Sequence, residues 1–224
     1  MDFLFLTNTP LFRGTTPEEA AKMVTCLSAE ERFFPKDAFL YRTGDTVRAM
    51  GLVLSGRVRI ESDDIWGNRT ILDQLEPGQV FAETYACVPD EPLMVNVVAG
   101  TDVRVLFLDA ARALRTCPDA CAHHAKLVRN LLAVSAQKNL TLSRRMFHIS
   151  AKTIRGRLLS YLSYQARRQG SYAFSIPFDR QQLADYLGVD RSALSAELGK
   201  MRREGLLTFE RSRFELIRAH SYFE

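Results

Sequence analysis

The sequence predicts an α+β protein in three successive parts: an N-terminal antiparallel β-barrel or sandwich, a long helix, and a C-terminal region of helices and a hairpin. Three observations carry this prediction. Short β-rich runs separated by turns fill positions 33–108, positions 119–147 contain neither glycine nor proline, and two capped helices precede a β-hairpin near the C-terminus. We place the domain boundaries at 1–115, 116–148 and 149–224.

The β-rich part is marked by regular turn signals. Segments such as GLVLSGRVRIES, LMVNVVAG and VRVLFL are rich in Val, Ile and Leu, and turn pairs such as Gly44-Asp45 and Pro77-Gly78 recur about every 11 residues. Many short strands with evenly spaced turns are typical of a small barrel or sandwich. In front of them, residues 16–32 predict a helix with Thr16 as its N-cap and Pro17 at its first position.

The region from Pro118 to Phe147 predicts a single helix of about 30 residues, which would be about 45 Å long. Its apolar stripe consists of Leu127, Val128, Leu131, Leu132 and Val134, followed by Leu140 and Leu142. A small barrel cannot cover a helix of this length, so we expect it to pack against a copy of itself in a homodimer. Residues 150–169 predict a further helix that ends at Gly170.

Composition narrows the class of protein. No apolar run approaches the roughly 18 residues of a membrane span, and MDFLFL has no basic segment in front of it that would make a signal peptide. The four cysteines show neither the spacing of a disulfide framework nor a CxxC pair, so reduced thiols and a cytoplasmic location are expected.

Charge is spread unevenly along the chain. Residues 151–224 carry 13 Lys and Arg against 8 Asp and Glu, whereas residues 1–150 carry 17 against 18. A basic C-terminal third is compatible with an ordinary solvated surface and, equally, with a polyanionic partner.

The stretch DRQQLADYLGVDRSALSAELGKMRREG, residues 179–205, predicts two helices joined by a tight turn. Asp179 with Gln182 three residues later makes a capping box, and Gly188 suits a left-handed residue at the end of the first helix. Asp190 caps the second helix, which runs to about Arg203. The inward face of that helix is apolar and consists of Leu194, Leu198 and Met201.

The outward face of the second helix is small and polar, with an arginine at its leading end. Such a face can enter the major groove of DNA, where hydroxyls reach base edges and Arg binds guanine O6 and N7. The sequence therefore predicts base contacts from Arg191, Ser192 and Ser195. The next segment, GLLTFERSRFELI, predicts a β-hairpin wing, and the predicted phosphate contacts are Arg180, Arg211 and Arg213. A helical hairpin with a merely solvated face is the alternative.

The order of barrel, long helix and winged helix-turn-helix resembles the cyclic-AMP receptor protein/FNR (Crp/Fnr) family of bacterial transcription regulators. The resemblance covers nearly the whole chain and is carried by RQQLADYLGVDRSALSAELGKMRREGLL at 180–207, LSGRVRI at 54–60 and LEPGQVFAE at 75–83. It implies an antiparallel β-roll (a jelly roll of the cyclic-nucleotide-binding kind) and a long dimerisation helix. It further implies a homodimer on double-stranded DNA with two-fold-related half-sites, a small-molecule effector and, for an activator, contact with RNA polymerase.

This chain departs from the family members that bind cyclic nucleotides. Those relatives use Gly-Glu at the end of a Phe-x-Glu stretch and a later Arg-Ser or Arg-Thr pair for the cyclic phosphate. Here Phe81-Ala82-Glu83 keeps the glutamate, and the later position reads Leu93-Met94. A buried phosphodiester without its arginine would lack charge-assisted partners, so we expect an effector other than cyclic AMP and assign no cofactor.

The resemblance implies an effector pocket between the barrel and the long helix. The candidate pocket residues are Glu83, Tyr85, Leu93, Asn96 and Leu127. A two-state hinge near residues 145–152 would pass the effect of binding to the recognition helices.

The sequence also leaves other mechanisms open for such a regulator. Cys117, Cys121 and His124 share one helical face and could hold a soft metal or a haem, although small residues at this spacing also simply pack. A constitutive DNA binder with a ligand-free barrel also stays open. An iron–sulfur cluster of the FNR kind would need several N-terminal cysteines, and only Cys26 lies there.

An enzyme is not expected from this sequence. A small barrel also suits cupin-like metalloenzymes, which need several histidines projecting into the barrel. The four histidines all lie outside residues 33–108, and we find no nucleophile with a neighbouring base and no phosphate loop.

Overall fold

The computed structural model describes residues 1–88, 90–114 and 122–217, and contacts divide it into two compact units, Met1–Gln137 and the residues from Lys138 onward. The first unit contains helices α1 (Phe3–Thr7), α2 (Pro17–Cys26), α3 (Glu83–Cys87) and α4 (Ala110–Leu114), and strands β1 (Glu30–Phe34), β2 (Phe39–Tyr41), β3 (Ala49–Ser55), β4 (Val58–Asp63), β5 (Arg69–Leu75), β6 (Val80–Phe81), β7 (Asn96–Ala99) and β8 (Val103–Asp109). Helix α5 (Ala122–Ile149) belongs to both units. The second unit contains α6 (Ile154–Gln169), β9 (Ala173–Ser175), α7 (Arg180–Leu187), α8 (Arg191–Arg203), β10 (Leu207–Glu210) and β11 (Arg213–Leu216).

Two four-stranded antiparallel sheets form the barrel in the described part of the first unit. Their strand orders are β1-β8-β3-β6 and β2-β7-β4-β5. The long hairpin β4–β5 pairs from Val58 opposite Leu75 to Asp63 opposite Arg69. The barrel or sandwich predicted from the alternation of short strands and turns is therefore confirmed, and so is the antiparallel β-roll that the family resemblance implied.

An aromatic cluster fills the barrel interior. Phe34, Tyr41, Phe81 and Phe107 meet edge to face, with ring centroids 5.7–6.3 Å apart. Gly51 on β3 makes this packing possible, because a Cβ atom at this position would collide with the ring of Phe81. Aliphatic side chains of β3, β4, β7 and β8 complete the cluster.

A second core joins α1 and α2 to one side of the barrel and to α5. Leu6, Leu11 and Met23 from the N-terminal segment pack with Leu127 and Leu131 of α5, and all of them are buried. Lys126 of α5 also forms an ion pair with Glu19 of α2, at 2.7 Å between Nζ and Oε2. The N-terminal half of α5 is thereby anchored to the rest of the first unit.

Helix α2 is shorter than the sequence predicted. Its start is as expected, with Thr16 as the N-cap in a capping box with Glu19 and Pro17 in the first turn. The prediction of a helix through residue 32 is wrong, because Ser28 adopts a left-handed conformation (φ 47°) and the following residues pair as β1 with β8. Here long-range strand pairing outweighs the local helix propensity of the sequence.

The second unit has its own core at the meeting point of α6, α7 and α8. Leu158, Leu162, Leu183, Leu187, Leu194, Leu198 and Met201 are fully buried there. Helix α6 begins at Ile154 instead of residue 150, because Thr153 caps it by accepting from the Gly156 N–H at 3.0 Å. Strand β9 pairs with β11 and widens the predicted hairpin to three strands.

Candidate DNA-binding surface and ligand site

Helix-capping residues fix the ends of α7 and the start of α8. The carboxylate of Asp179 accepts from the N–H of Gln182 at 2.8 Å, and the Gln182 side chain accepts from the N–H of Asp179 at 2.9 Å. Gly188 closes α7 in the left-handed conformation (φ 62°), and Asp190 accepts from the N–H of Ala193 at 2.9 Å to start α8. These polar groups satisfy helix ends that would otherwise lack partners.

Helix α8 is held from behind by apolar packing and by one arginine. Arg155 of α6 binds Glu204 with both terminal nitrogens, at 2.8 and 2.9 Å, and Glu197 through Nε at 2.6 Å. These ion pairs raise the pKa of Arg155 and lower the pKa of Glu204. The side of α8 that faces away from these contacts is consequently presented on a fixed support.

The predicted base-contacting residues lie on the exposed surface of α8. Arg191, Ser192 and Ser195 are all exposed. Ser192 donates its hydroxyl hydrogen to Asp190 at 2.5 Å, and Ser195 donates to the carbonyl oxygen of Arg191 at 2.9 Å. Both hydroxyls therefore keep lone pairs for an outside donor while their hydrogens are engaged within the chain.

The predicted phosphate-contacting residues cluster at the wing. Glu210 pairs with Arg213 across the hairpin, and the exposed Arg211 occupies the turn with a left-handed φ of 52°. Arg180 is only half-exposed: its guanidinium lies 4.9 Å from the ring centroid of Phe209, and its Nη2 donates to the Arg211 carbonyl at 3.4 Å. Burial lowers the pKa of Arg180. Its observed contacts join α7 to the wing.

Two arginines that the sequence analysis missed hold the C-terminal end of α7. Arg145 of α5 donates to the carbonyls of Asp185 and Tyr186, both at 3.0 Å. Arg157 of α6 donates to the carbonyls of Leu187 and Gly188, both at 2.9 Å. Cations favour the carbonyl end of a helix, but the partners are too distant in sequence for spacing to reveal them.

The last turn of α5, where the hinge was predicted, is packed inside the second unit. His148 is 1% exposed, and its Nδ1 lies 3.1 Å from the hydroxyl of Ser160. Its ring contacts Tyr161 and Tyr164, at 5.6 and 5.2 Å between centroids. Burial lowers the pKa of His148. Movement at residues 145–148 would have to break these contacts.

The five predicted pocket residues all lie in the first unit. Glu83 is buried at the start of α3 and Tyr85 is half-buried on the same helix. Ala82, just before them, has φ 57° and ψ 12°, a left-handed conformation that favours glycine. This chain therefore holds with an alanine a backbone conformation that glycine adopts more readily.

The structure separates these five residues into different surroundings. Leu127 is in the core shared by α1, α2 and α5, against which Ala86 and Cys87 of α3 also pack. Asn96 instead accepts from the Thr43 N–H at 2.9 Å and donates to Asp63 at 3.1 Å. Leu93 is buried, and its backbone pairs with the connection between β2 and β3.

A cavity of about 730 Å³ lies beside β1, the β2–β3 connection and the end of β8. This volume falls within the range of small-molecule sites, roughly 300–1,000 Å³. Tyr41 and Phe107 line it together with Arg32, Arg48 and Arg112, and the carboxylates of Glu30, Asp45 and Asp109. Burial raises the pKa of Tyr41 to about 12, and its hydroxyl donates to the Ala49 carbonyl at 2.8 Å. None of the predicted pocket residues is among the described residues that line this cavity.

Most of the predicted metal-ligand group lies outside the described residues. Cys117 and Cys121 lie outside the described residues, and His124 is buried on α5. Within the described ranges, no three His, Cys, Asp or Glu side chains converge as a metal site would require. No helix among the same residues is both long and apolar enough to span a membrane.

Comparison with known domain families matches both units. Residues 31–118 match the cyclic nucleotide-binding domain, and residues 156–220 match the Crp-like helix-turn-helix domain. A sensing-type barrel joined to a DNA-binding helix-turn-helix defines a class, the transcription regulators. Within that class, the chain belongs to the Crp/Fnr family.

Relatives extend over most of the chain. The cyclic AMP receptor protein of Thermus thermophilus is 28% identical over 202 residues, which are 88% of each chain. A CRP-like cAMP-activated global transcriptional regulator of Mycobacterium tuberculosis is 22% identical over 205 residues, 89% of this chain and 88% of that one. The chain belongs to a family of transcription regulators, so the enzyme alternative is rejected.

Solved structures support the fold assignment. The Thermus thermophilus catabolite activator protein is 24% identical with a TM-score of 0.51, covering 93% of both chains. The c-di-GMP responsive regulator CLP of Xanthomonas campestris is 18% identical with a TM-score of 0.52, covering 89% of this chain and all of that one.

Proposed function

We propose that this chain is an effector-responsive, sequence-specific regulator that binds a two-fold-related DNA operator as a homodimer and responds to an effector other than cyclic AMP. The observation that carries the proposal is the outward face of α8. Its exposed Arg191, Ser192 and Ser195 project from a helix whose opposite side is packed and ion-paired. A rigid helix with short polar side chains and a leading arginine is suited to the major groove.

The distribution of charge supports the same assignment. Arg191, Lys200 and Arg203 on α8 and Arg211 and Arg213 on the wing are all exposed. The acidic side chains of α8 and of its C-cap, Glu197 and Glu204, are paired with Arg155. The outward surface therefore favours phosphates, which supply much of the affinity of DNA-binding proteins.

The exposed side of α5 supports dimerisation. Leu132, Leu142 and Met146 are 68%, 64% and 64% exposed, and Val128 is 38% exposed. With Ser135 and Asn139 they follow alternating steps of four and three residues, the spacing of a coiled-coil seam. A polar residue such as Asn139 within such a seam fixes its register. We therefore take this face of α5 as the contact between two copies of the chain.

One position in the barrel argues against cyclic AMP, although two relatives carry it in their names. The position of the phosphate-binding pair is taken by buried Leu93 and by Met94, which is 73% exposed. Neither side chain can form the charge-assisted hydrogen bonds that a phosphodiester requires.

A constitutive DNA binder is the second candidate, and the aromatic cluster of the barrel favours it. Phe34, Tyr41, Phe81 and Phe107 occupy the space between the sheets with their own contacts. Redox or metal sensing through Cys117, Cys121 and His124 is a further way in which the same regulator could be controlled.

Selection of DNA from a random-sequence duplex pool tests the proposal. The full-length protein is used, with and without a low-molecular-weight extract of its host, and bound duplexes are sequenced. We expect an inverted repeat with half-sites about one helical turn, roughly 34 Å, apart, bound by two chains in native mass spectrometry. Enrichment of no sequence under either condition would overturn the proposal.

The effector is tested on the selected duplex by fluorescence anisotropy. We expect the dissociation constant for the duplex to change when host extract is added. Cyclic AMP should leave this constant unchanged up to about 1,000 times the protein concentration. A response to cyclic AMP alone would overturn the effector assignment. Affinity indifferent to every addition would favour the constitutive binder.

A further inference from the structure

Gly199, in the middle of α8, has no structural reason within the described residues to be a glycine. A Cβ atom at this position would meet only Nη1 of Arg203, at 3.7 Å, which is ordinary van der Waals contact with the end of a flexible side chain. Its backbone is regular α-helix. Glycine is the poorest helix former after proline, so this residue weakens α8 without relieving any strain.

Glycines that the structure does constrain show what such a reason looks like. Gly51 leaves room for the ring of Phe81, and Gly188 adopts a left-handed conformation that ends α7. Gly199 has neither a crowding neighbour nor a positive φ. The space that its missing side chain leaves is therefore open to something outside the chain.

Gly199 lies on the side of α8 that faces away from the core. At 100° per residue, Gly199 projects about 140° away from the direction of Leu194. The buried Leu198 and Met201 project within about 40° of the direction of Leu194. Ser195 precedes Gly199 by one turn, and Arg203 follows by one turn. Gly199 thus continues the surface formed by the exposed Ser192, Ser195 and Ala196.

The short reach of the serines supplies a reason for the missing side chain. A serine hydroxyl lies one bond beyond Cβ, so it reaches a base edge only if the helix axis lies close to the DNA. Arginine or glutamine would reach the same edge from further away. A helix that reads bases with serines therefore needs a small residue at the position one turn further along the same face.

We propose that Gly199 is a specificity-determining residue, whose missing side chain lets α8 lie deep enough in the major groove for Ser192 and Ser195 to contact bases. Because both hydroxyl hydrogens are donated within the chain, these oxygens would accept from the exocyclic amino groups of adenine or cytosine. This inference rests on the proposed function and extends it from which residues face DNA to how closely they approach it.

The variant Gly199→Ala should change stability and specific binding in opposite directions. Alanine favours the helix, so we expect the melting temperature to rise by about 2–4 °C. The added methyl group should weaken binding to the duplex selected by the wild-type chain by about tenfold or more, comparable to one mismatched base pair. Binding to a random-sequence duplex depends on phosphate contacts and should change less than about twofold.

Two further variants identify the origin of the loss. Ser163→Ala, on an exposed position of α6, is the matched control for improved helix propensity and should leave both dissociation constants unchanged. Gly199→Ala in an Arg203→Ala background tests the one protein side chain that the new methyl group would touch. If Gly199→Ala lowers operator affinity in that background as much as it does in the wild-type chain, the methyl group meets DNA. If it causes no further loss of operator affinity there, the methyl group acts by displacing Arg203, and the proposal is overturned.

The remaining outcomes are also decisive. A raised melting temperature with unchanged operator affinity would overturn the role of Gly199 and leave the proposed function intact. A lowered melting temperature would reveal a structural requirement for glycine and overturn the proposal. Failure of the wild-type chain itself to prefer any duplex, with and without host extract, would overturn the proposed function together with this inference.

Discussion

The barrel and the DNA-binding unit use their side chains in opposite ways. In the barrel, side chains from strands far apart in sequence converge on an interior where Phe34, Tyr41, Phe81 and Phe107 contact one another. In the second unit, the residues assigned to DNA stand outward on α8 and on a hairpin, each defined by a few neighbouring residues. The difference indicates that the DNA-contacting surface can be changed one residue at a time, whereas the barrel interior responds as a whole.

The largest effect is expected in the barrel, for Gly51→Ala. Its methyl group would collide with the ring of Phe81, which is buried and contacts the rings of Tyr41 and Phe107. Overpacking of this kind costs about 3 kcal/mol of unfolding free energy. Chemical unfolding of wild-type and variant protein measures the loss.

A second substitution checks that this loss arises from overpacking. In Gly51→Ala with Phe81→Leu, the smaller side chain makes room for the methyl group, and part of the lost stability should return. If the double variant is as unstable as the sum of the two single variants, the two positions do not interact and the picture of a jointly packed interior is wrong.

An intermediate effect is expected on α8, for Arg191→Ala. The guanidinium is exposed, so folding stability should change little, whereas the loss of a bidentate contact to guanine costs about 1–3 kcal/mol of discrimination. Operator affinity should therefore fall about 10- to 100-fold, with random DNA nearly unaffected. Equal weakening on both duplexes, measured by anisotropy, would contradict the assignment of Arg191 to a base.

A smaller effect is expected at the tip of the wing, for Arg211→Asn. Asparagine tolerates the left-handed conformation observed at φ 52°, so the hairpin should be at least as stable as before. Loss of one phosphate contact should weaken operator and random DNA alike and lower the slope of log K against log salt by about 0.9. An unchanged slope would exclude Arg211 from the phosphate contacts.

The smallest effect is expected at the end of α5, through His148. Burial lowers the pKa of His148 in the folded protein, so on acidification the unfolded chain takes up this proton first, near its ordinary pKa of about 6.5. The stability that neutral His148 contributes is therefore complete above this pH and declines as the pH falls below it.

Thermal unfolding measured from about pH 7.5 to about pH 5.5, one unit on either side of that pKa, records this decline. The wild-type chain should lose more stability on acidification than His148→Gln, which cannot take up the proton. Parallel curves for the two proteins would show that His148 does not carry the pH dependence.

Sequence patterns predicted the second unit closely because its determinants are local. The capping box of Asp179 and Gln182, the left-handed Gly188 and the cap at Asp190 are visible within a dozen residues, and the structure confirms all of them. The wing hairpin was predicted in the same way and is confirmed. Strand β9 was not, since its three residues carry no signal apart from pairing with β11.

The contacts that support the site could not be predicted from the sequence. Arg155, Arg157 and Arg145 act on groups 30 or more positions away, and nothing in their own neighbourhood distinguishes them from solvated arginines. The barrel cavity is likewise lined by separated segments, so spacing along the chain could not select Tyr41 or Phe107. The helix predicted through residue 32 failed for the related reason that pairing with β8 decides the structure there.

The ion pairs of Arg155 also bear on how quickly this chain would associate with DNA. Glu197 and Glu204 place two negative charges beside the surface proposed to contact DNA, and Arg155 offsets one of these charges. Association with DNA is accelerated by a positive field and slowed by a negative one. Arg155, on a helix that is assigned no DNA contact, should therefore speed the approach of this surface to DNA, most strongly at low salt.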